Sequence, residues 1–149
     1  MRGGGVCGAI FEAAGAEDLQ KACNKIGYCA TGDAVITEGF HLCRYIIHAV
    51  GPIYFGGLQG EAQLLYECYR RSLNLCKEYH CQSITFPLIS SGIYGYPVKK
   101  AWVEALKACD DWVKKNNEDI DIGFAVLSKE VYEQGLATAG SLKIEVIGE

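Results

Sequence analysis

The groups best placed for chemistry in this 149-residue chain are main-chain amides, offered by two glycine-rich turns. The second in chain order is Ser90-Ser91-Gly92-Ile93-Tyr94-Gly95-Tyr96-Pro97, which follows the apolar run 83–89 and precedes a helix-period segment. Strand, glycine-punctuated loop, then helix is a geometry that aims N–H groups and a positive dipole end at an anion. Gly92 and Gly95 permit backbone conformations closed to other residues, and Tyr94 between them offers an aromatic face. Pro97 suits a first helical turn, where its missing N–H costs nothing. Taken alone, the stretch reads equally as a tight strand-to-helix connection without a ligand. The first in chain order is Gly3-Gly4-Gly5-Val6-Cys7-Gly8 near the amino end, again opening a helical pattern. It is not a P-loop, because no Gly-Lys-Ser/Thr follows. Nor is it a dinucleotide fingerprint, because no strand precedes it and the glycine spacing is wrong. By itself, a flexible amino-terminal tail accounts for Gly3 to Gly5.

Side-chain candidates are fewer, and no catalytic residue is assigned. His48 lies in the buried-strand run Tyr45 to Val50 and reads as a hydrogen-bonded core histidine. His41 and Cys43 fit no standard zinc spacing, so they read as packing and no metal is expected. Cys7, beside a helix amino end, has the position of a thiol with a lowered pKa, but no partner histidine is placed by the sequence.

The elements that must position these turns follow from periodicity. A first helix carries Val6, Ala9, Ile10, Ala13 and Ala14 on its apolar face and stops at Gly15. A second runs Glu17 to Ile26, with its acidic residues first. Short extended pieces cover Ala34–Thr37 and Tyr45–Val50, the latter ended by Gly51-Pro52. A glycine-rich loop over 53–60 leads into a long helix from Glu61 to about Tyr79, with Leu64, Leu65, Cys68, Tyr69, Ser72, Leu73 and Cys76 inward. After the central loop come a helix from Pro97 to about Asn116, a strand Ile120–Leu127 and a short helix Lys129–Ala137. The alternating run Leu142–Ile147 reads as a last, edge strand. Interleaved strands and helices predict a single α/β layered domain over residues 1–149, with a mixed, largely parallel sheet. Ligands of such sheets sit beyond the strands' carboxyl ends, where both glycine loops fall.

Composition narrows the partners. A net charge of −4 with no Lys/Arg run argues against a nucleic-acid groove or an anionic membrane surface. No apolar run reaches membrane-spanning length, and no signal-peptide core follows Met1. Eight cysteines scattered singly on apolar faces suit reduced thiols in a cytoplasmic protein.

Four blocks in order resemble the macro domain, an ADP-ribose-binding family: Gly3 to Gly15, Thr31 to Thr37, Ile46 to Pro52, and Ser83 to Pro97. The resemblance implies a three-layer α/β/α sandwich with ADP-ribose in a cleft along the top of the sheet. It implies that Gly3, Gly4, Gly5, Val6, Cys7 and Gly8 close on the diphosphate from one side. Ser90, Ser91, Gly92, Ile93, Tyr94 and Gly95 would close from the other, with Tyr94 against the distal ribose and Ile93 shaping the wall. No cofactor is implied.

The departures are specific. Family members usually carry two strands before the triple glycine, the first ending in an adenine-binding Asp and the second leading into Asn-Ala-Ala-Asn. Neither precedes Gly3 here. Hydrolytic members of one branch have Asp where this chain has Cys7, Phe11 stands where a His or other residue is usual, and Leu127 occupies the neighbourhood of the adenine-flanking aromatic. The short amino end reflects a misassigned start or cut chain, or else Leu142–Ile147 supplies a replacement strand, in cis or exchanged within a homo-oligomer. Two functions follow: binding of ADP-ribose or mono-ADP-ribosylated protein, or hydrolysis of ADP-ribosyl-protein or O-acetyl-ADP-ribose by a substrate-positioned water.

Overall fold

The computed structural model describes residues 5–148. Its elements are α1 (Gly5–Ala14), α2 (Ala16–Ile26), β1 (Ala34–Glu38), β2 (Tyr45–Ala49), α3 (Glu61–Glu78), β3 (Ser83–Phe86), α4 (Val98–Asn116), β4 (Asp121–Phe124) and α5 (Lys129–Ser141). The α/β sandwich expected from the sequence is present, with its strands in two pairs. β1 and β2 run antiparallel, Val35 opposite His48 and Thr37 opposite Ile46. β3 and β4 run parallel, Ile84 opposite Ile122 and Phe86 opposite Phe124. Among the described residues the two pairs are not hydrogen-bonded to each other.

α3 is the element common to both pairs. Its buried residues Leu65, Cys68, Tyr69, Ser72, Leu73 and Cys76 recur at three- and four-residue steps, which puts them on one stripe. Cys68 Sγ donates to the Val50 carbonyl after β2, and the Tyr69 ring meets Phe86 of β3 edge-on at 4.9 Å. α4 packs on α3 through a stripe including Ala101, Ala105, Leu106, Cys109 and Trp112, all buried as the sequence predicts. Two tryptophan N–H groups pin it: Trp112 Nε1 donates to Asn74 of α3, and Trp102 Nε1 to the Val131 carbonyl of α5. The result is a large core beneath β3 and β4, and a much smaller one of Phe11, Ala14, Leu19 and Ile46 beneath α1, α2 and β2.

Two expectations are corrected. Val6, Ala9 and Ala13 of α1 are exposed; its inward residues are Ile10, Phe11 and Ala14. Phe11 is the largest apolar side chain of that helix, and its burial sets the helix rotation. Nor do residues Leu142–Ile147 form a strand. α5 runs on to Ser141, Lys143 takes a left-handed φ of 58°, and the N–H groups of Lys143 and Ile144 close back on the carbonyls of Gly140 and Ala139. That pattern is a Schellman cap, and it turns Leu142 and Ile144 onto the main core. Burial against α5 outweighs the alternation that suggests an edge strand.

Candidate functional site

The second glycine loop is a shaped backbone turn on a rigid base. Its approach is fixed by Tyr69, whose ring is fully buried and whose hydroxyl accepts the Ile89 N–H at 2.9 Å. Phe86, Leu88 and Tyr96, before and after the loop, are buried in the main core. Within it, the Ser91 hydroxyl donates to the Leu88 carbonyl at 2.8 Å, the Gly95 N–H to the Gly92 carbonyl at 3.0 Å, and the Tyr96 N–H to the Ser90 carbonyl at 2.9 Å. The N–H groups of Gly92, Ile93 and Tyr94 have no acceptor among the described residues. Three successive amides thus stand open at an exposed turn that leads, through Pro97, into the amino end of α4. That is the arrangement of an anion cradle.

Ser90 is the strained member. It adopts φ 66°, a left-handed conformation uncommon for a residue with a Cβ, and its buried Oγ has no hydrogen-bond partner. Gly51, just after β2, packs directly against it: a Cβ there would collide with Ser90 Oγ and stand 2.6 Å from Ile89 Cγ2. Only a glycine lets the end of β2 approach the loop this closely. Gly92, in contrast, faces open space, with no atom within 4 Å of an added Cβ. Gly95 also faces open space but sits at φ 71°. Ile93 is almost fully exposed and Tyr94 partly so.

A third loop, 53–60, lies beside this site and touches it through Tyr54. The Tyr54 N–H donates to the Tyr94 carbonyl at 2.9 Å, and the Tyr54 ring packs against Tyr96 with centroids 4.9 Å apart. Glu61, the first residue of α3, is buried, and its carboxylate accepts the N–H groups of Phe55, Gly57 and Gln59. Burial alone would raise its pKa; the backbone hydrogen bonds outweigh it and hold the carboxyl below the ordinary range. Sequence reading treats 53–60 only as glycine-rich; the signal for more is an acidic residue directly after the last glycine, where a first-turn carboxylate can reach back.

The first glycine turn is less fully described. Gly3 and Gly4 lie outside the described residues, while Gly5, Val6, Cys7 and Gly8 form the opening of α1, whose first-turn amides point out of the helix end. Val6 and Cys7 are exposed and Gly8 half-buried. His48 is the hydrogen-bonded histidine the sequence predicts: its Nε2 lies 2.9 Å from Thr37 Oγ1, and burial lowers its pKa. Burial raises the pKa of the nearby Cys23 thiol, 4.0 Å from the same nitrogen, which disfavours a nucleophilic thiolate there. Among the described residues no three His, Cys, Asp or Glu side chains are grouped to hold a metal ion. No helix among them is long and apolar enough to cross a membrane. An open groove of about 470 Å³ lies elsewhere, between α2 and β1, lined by residues including Lys21, Lys25, Thr37 and Phe40.

Comparison with known proteins bears on this geometry. The family model for the macro domain matches residues 1–105. A macro domain-containing protein of Chlorobaculum tepidum is 45% identical over 141 residues, covering 92% of this chain and 81% of its own. A macrodomain of Oceanobacillus iheyensis, solved with ADP, superposes with a TM-score of 0.88 at 35% identity, covering 96% of this chain and 78% of that one. A Trypanosoma brucei macrodomain in complex with ADP-ribose superposes at 0.84 with 33% identity, over 93% of this chain and 58% of that one.

Proposed function

This chain belongs to the macro domain family, and we propose that it binds ADP-ribose, free or carried on a mono-ADP-ribosylated protein, through its glycine-loop amides. The carrying observation is the run of three amides at Gly92, Ile93 and Tyr94 without acceptors among the described residues, on a base fixed by Tyr69 and Gly51. A diphosphate would take these N–H groups as charge-assisted hydrogen bonds, each stronger than a neutral one. We assign the opposing amides to the Gly3 to Gly8 segment, of which Gly5 to Gly8 open α1, and the face of the distal ribose to Tyr94. The similar folds solved with ADP and with ADP-ribose support the assignment. We place the whole of residues 1–149 in this one domain and the protein in the cytoplasm, where ADP-ribosyl groups and reduced thiols coexist.

Binding is the leading reading because open amides suffice for it; hydrolysis by a substrate-positioned water, which needs no carboxylate or imidazole from either loop, is the second reading. Calorimetric titration with ADP-ribose, paired with a release assay on mono-ADP-ribosylated protein, separates the two. Saturable binding without release is the expected result; release at the rate of an enzyme would make it a hydrolase, and no binding would remove the assignment.

A further inference from the structure

The rim of the site holds apolar side chains in water on a backbone that is not loose. Ile53 is 49% exposed, Phe55 67%, Leu58 92% and, on the neighbouring loop, Ile93 96%. Floppy loops expose apolar residues at little cost, but this loop is built to keep its shape. Three of its N–H groups end on the buried Glu61 carboxylate, Tyr54 is wedged against Tyr96, and Lys100 Nζ reaches the Tyr54 hydroxyl. Segments 51–60 and 89–98 together contain no charged residue. Several exposed apolar side chains on one loop that is held in shape mark an interaction surface.

Resting on the ADP-ribose reading, we infer that Ile53, Phe55 and Leu58 form a docking surface for the polypeptide that carries the ADP-ribosyl group. The occupant is an uncharged, apolar segment flanking the modified side chain. Its identity follows from continuity: the Tyr54 N–H bond to the Tyr94 carbonyl joins the patch directly to the ligand loop. A conjugate held by its diphosphate on Gly92 to Tyr94 brings its carrier to this rim, whereas free ADP-ribose has nothing to place there. The patch therefore distinguishes protein-attached from free ligand, and its apolar residues act as anchors around a polar site.

The test compares Phe55→Ser and Leu58→Ser with the unaltered protein against two probes, free ADP-ribose and an automodified mono-ADP-ribosyltransferase. Both side chains are outside the core, and the Phe55 N–H bond to Glu61 survives the change, so folding is retained. Affinity for the conjugate should fall about tenfold per variant while affinity for free ADP-ribose stays within about twofold. Leu58→Met should restore conjugate binding. Equal affinities of all variants for the conjugate would overturn the docking surface and leave the ADP-ribose reading intact. Parallel losses for both probes would also overturn it, showing that the patch touches the nucleotide itself. Absence of binding to either probe by the unaltered protein would instead defeat the ADP-ribose reading, and the docking surface with it.

Discussion

The two glycine turns stand on unequal foundations. The Ser90–Gly95 loop rises from β3 and runs into α4, over a core that includes Tyr69, Phe86, Leu88, Tyr96, Trp102 and Trp112. The opening turn of α1 rests on Phe11, Ala14, Leu19 and Ile46. Each buried large apolar side chain contributes about 1.5–3 kcal/mol, so the second loop, with six such residues against three, is anchored about twice as strongly as the first. On the proposed binding mode the expected consequence is a division of labour. The second loop, already held in shape, would receive a diphosphate at little further ordering cost, and α1 would be the part to order more on binding.

Four experiments break or sharpen this contrast. The largest effect is on stability. Tyr69→Ala should cost about 3–5 kcal/mol in denaturant unfolding, because it opens a cavity under the second loop. Phe11→Ala should shift the global midpoint far less and instead speed hydrogen exchange across α1 and α2. Equal global losses would erase the distinction. Next, Tyr69→Phe keeps the ring but removes the acceptor of the Ile89 N–H. It should cost about 1–3 kcal/mol and weaken ADP-ribose binding severalfold in titration, since the loop's approach is no longer fixed.

The third concerns pH. His48 titrates below its ordinary 6.5 in the fold because it is buried. Below that value the unfolded chain binds a proton that the native state does not, so its contribution to stability, full above 6.5, declines as pH falls toward the folded pKa. Glu61 titrates below its ordinary 4.5, and the stability it supplies to loop 53–60 is lost only as pH falls through that lower range. Exchange measured against pH should therefore show the β1–β2 side loosening first and loop 53–60 later. Glu61→Gln should abolish the second step and leave the first. The smallest effect is on salt. Neither glycine loop from Gly3 to Gly8 or Ser90 to Gly95 contains Lys or Arg, so raising salt from about 50 to 200 mM should weaken ADP-ribose binding less than about threefold.

What could be read from the chain follows the same inequality. α3 and α4 announce themselves through long stripes, and nearly every residue predicted inward there is buried. Short or amphipathically weak elements are where pattern fails. α1 has apolar residues on most of its circumference, so periodicity alone chose Val6 and Ala9 over Phe11. At Leu142–Ile147 a strand-like alternation is overridden by a helix cap that only backbone geometry reveals. In the Ser90–Gly95 loop the sequence expectation holds at Gly95, which takes a left-handed φ, and not at Gly92, whose backbone has no positive φ and whose face is open. The contact between Gly51 and Ser90, and the reach of Glu61 into loop 53–60, join residues whose pairing no local pattern encodes.

The most direct measurement is a calorimetric titration of Gly92→Val with ADP-ribose, alongside the unaltered protein and a thermal melt of both. An added Cβ at Gly92 meets nothing within 4 Å, so the melting temperature should be unchanged. The side chain would stand where a diphosphate must approach the amides, so affinity should fall about a hundredfold or more through loss of two or three charge-assisted bonds. A variant that melts and binds like the unaltered protein would contradict the amide cradle on which the account depends.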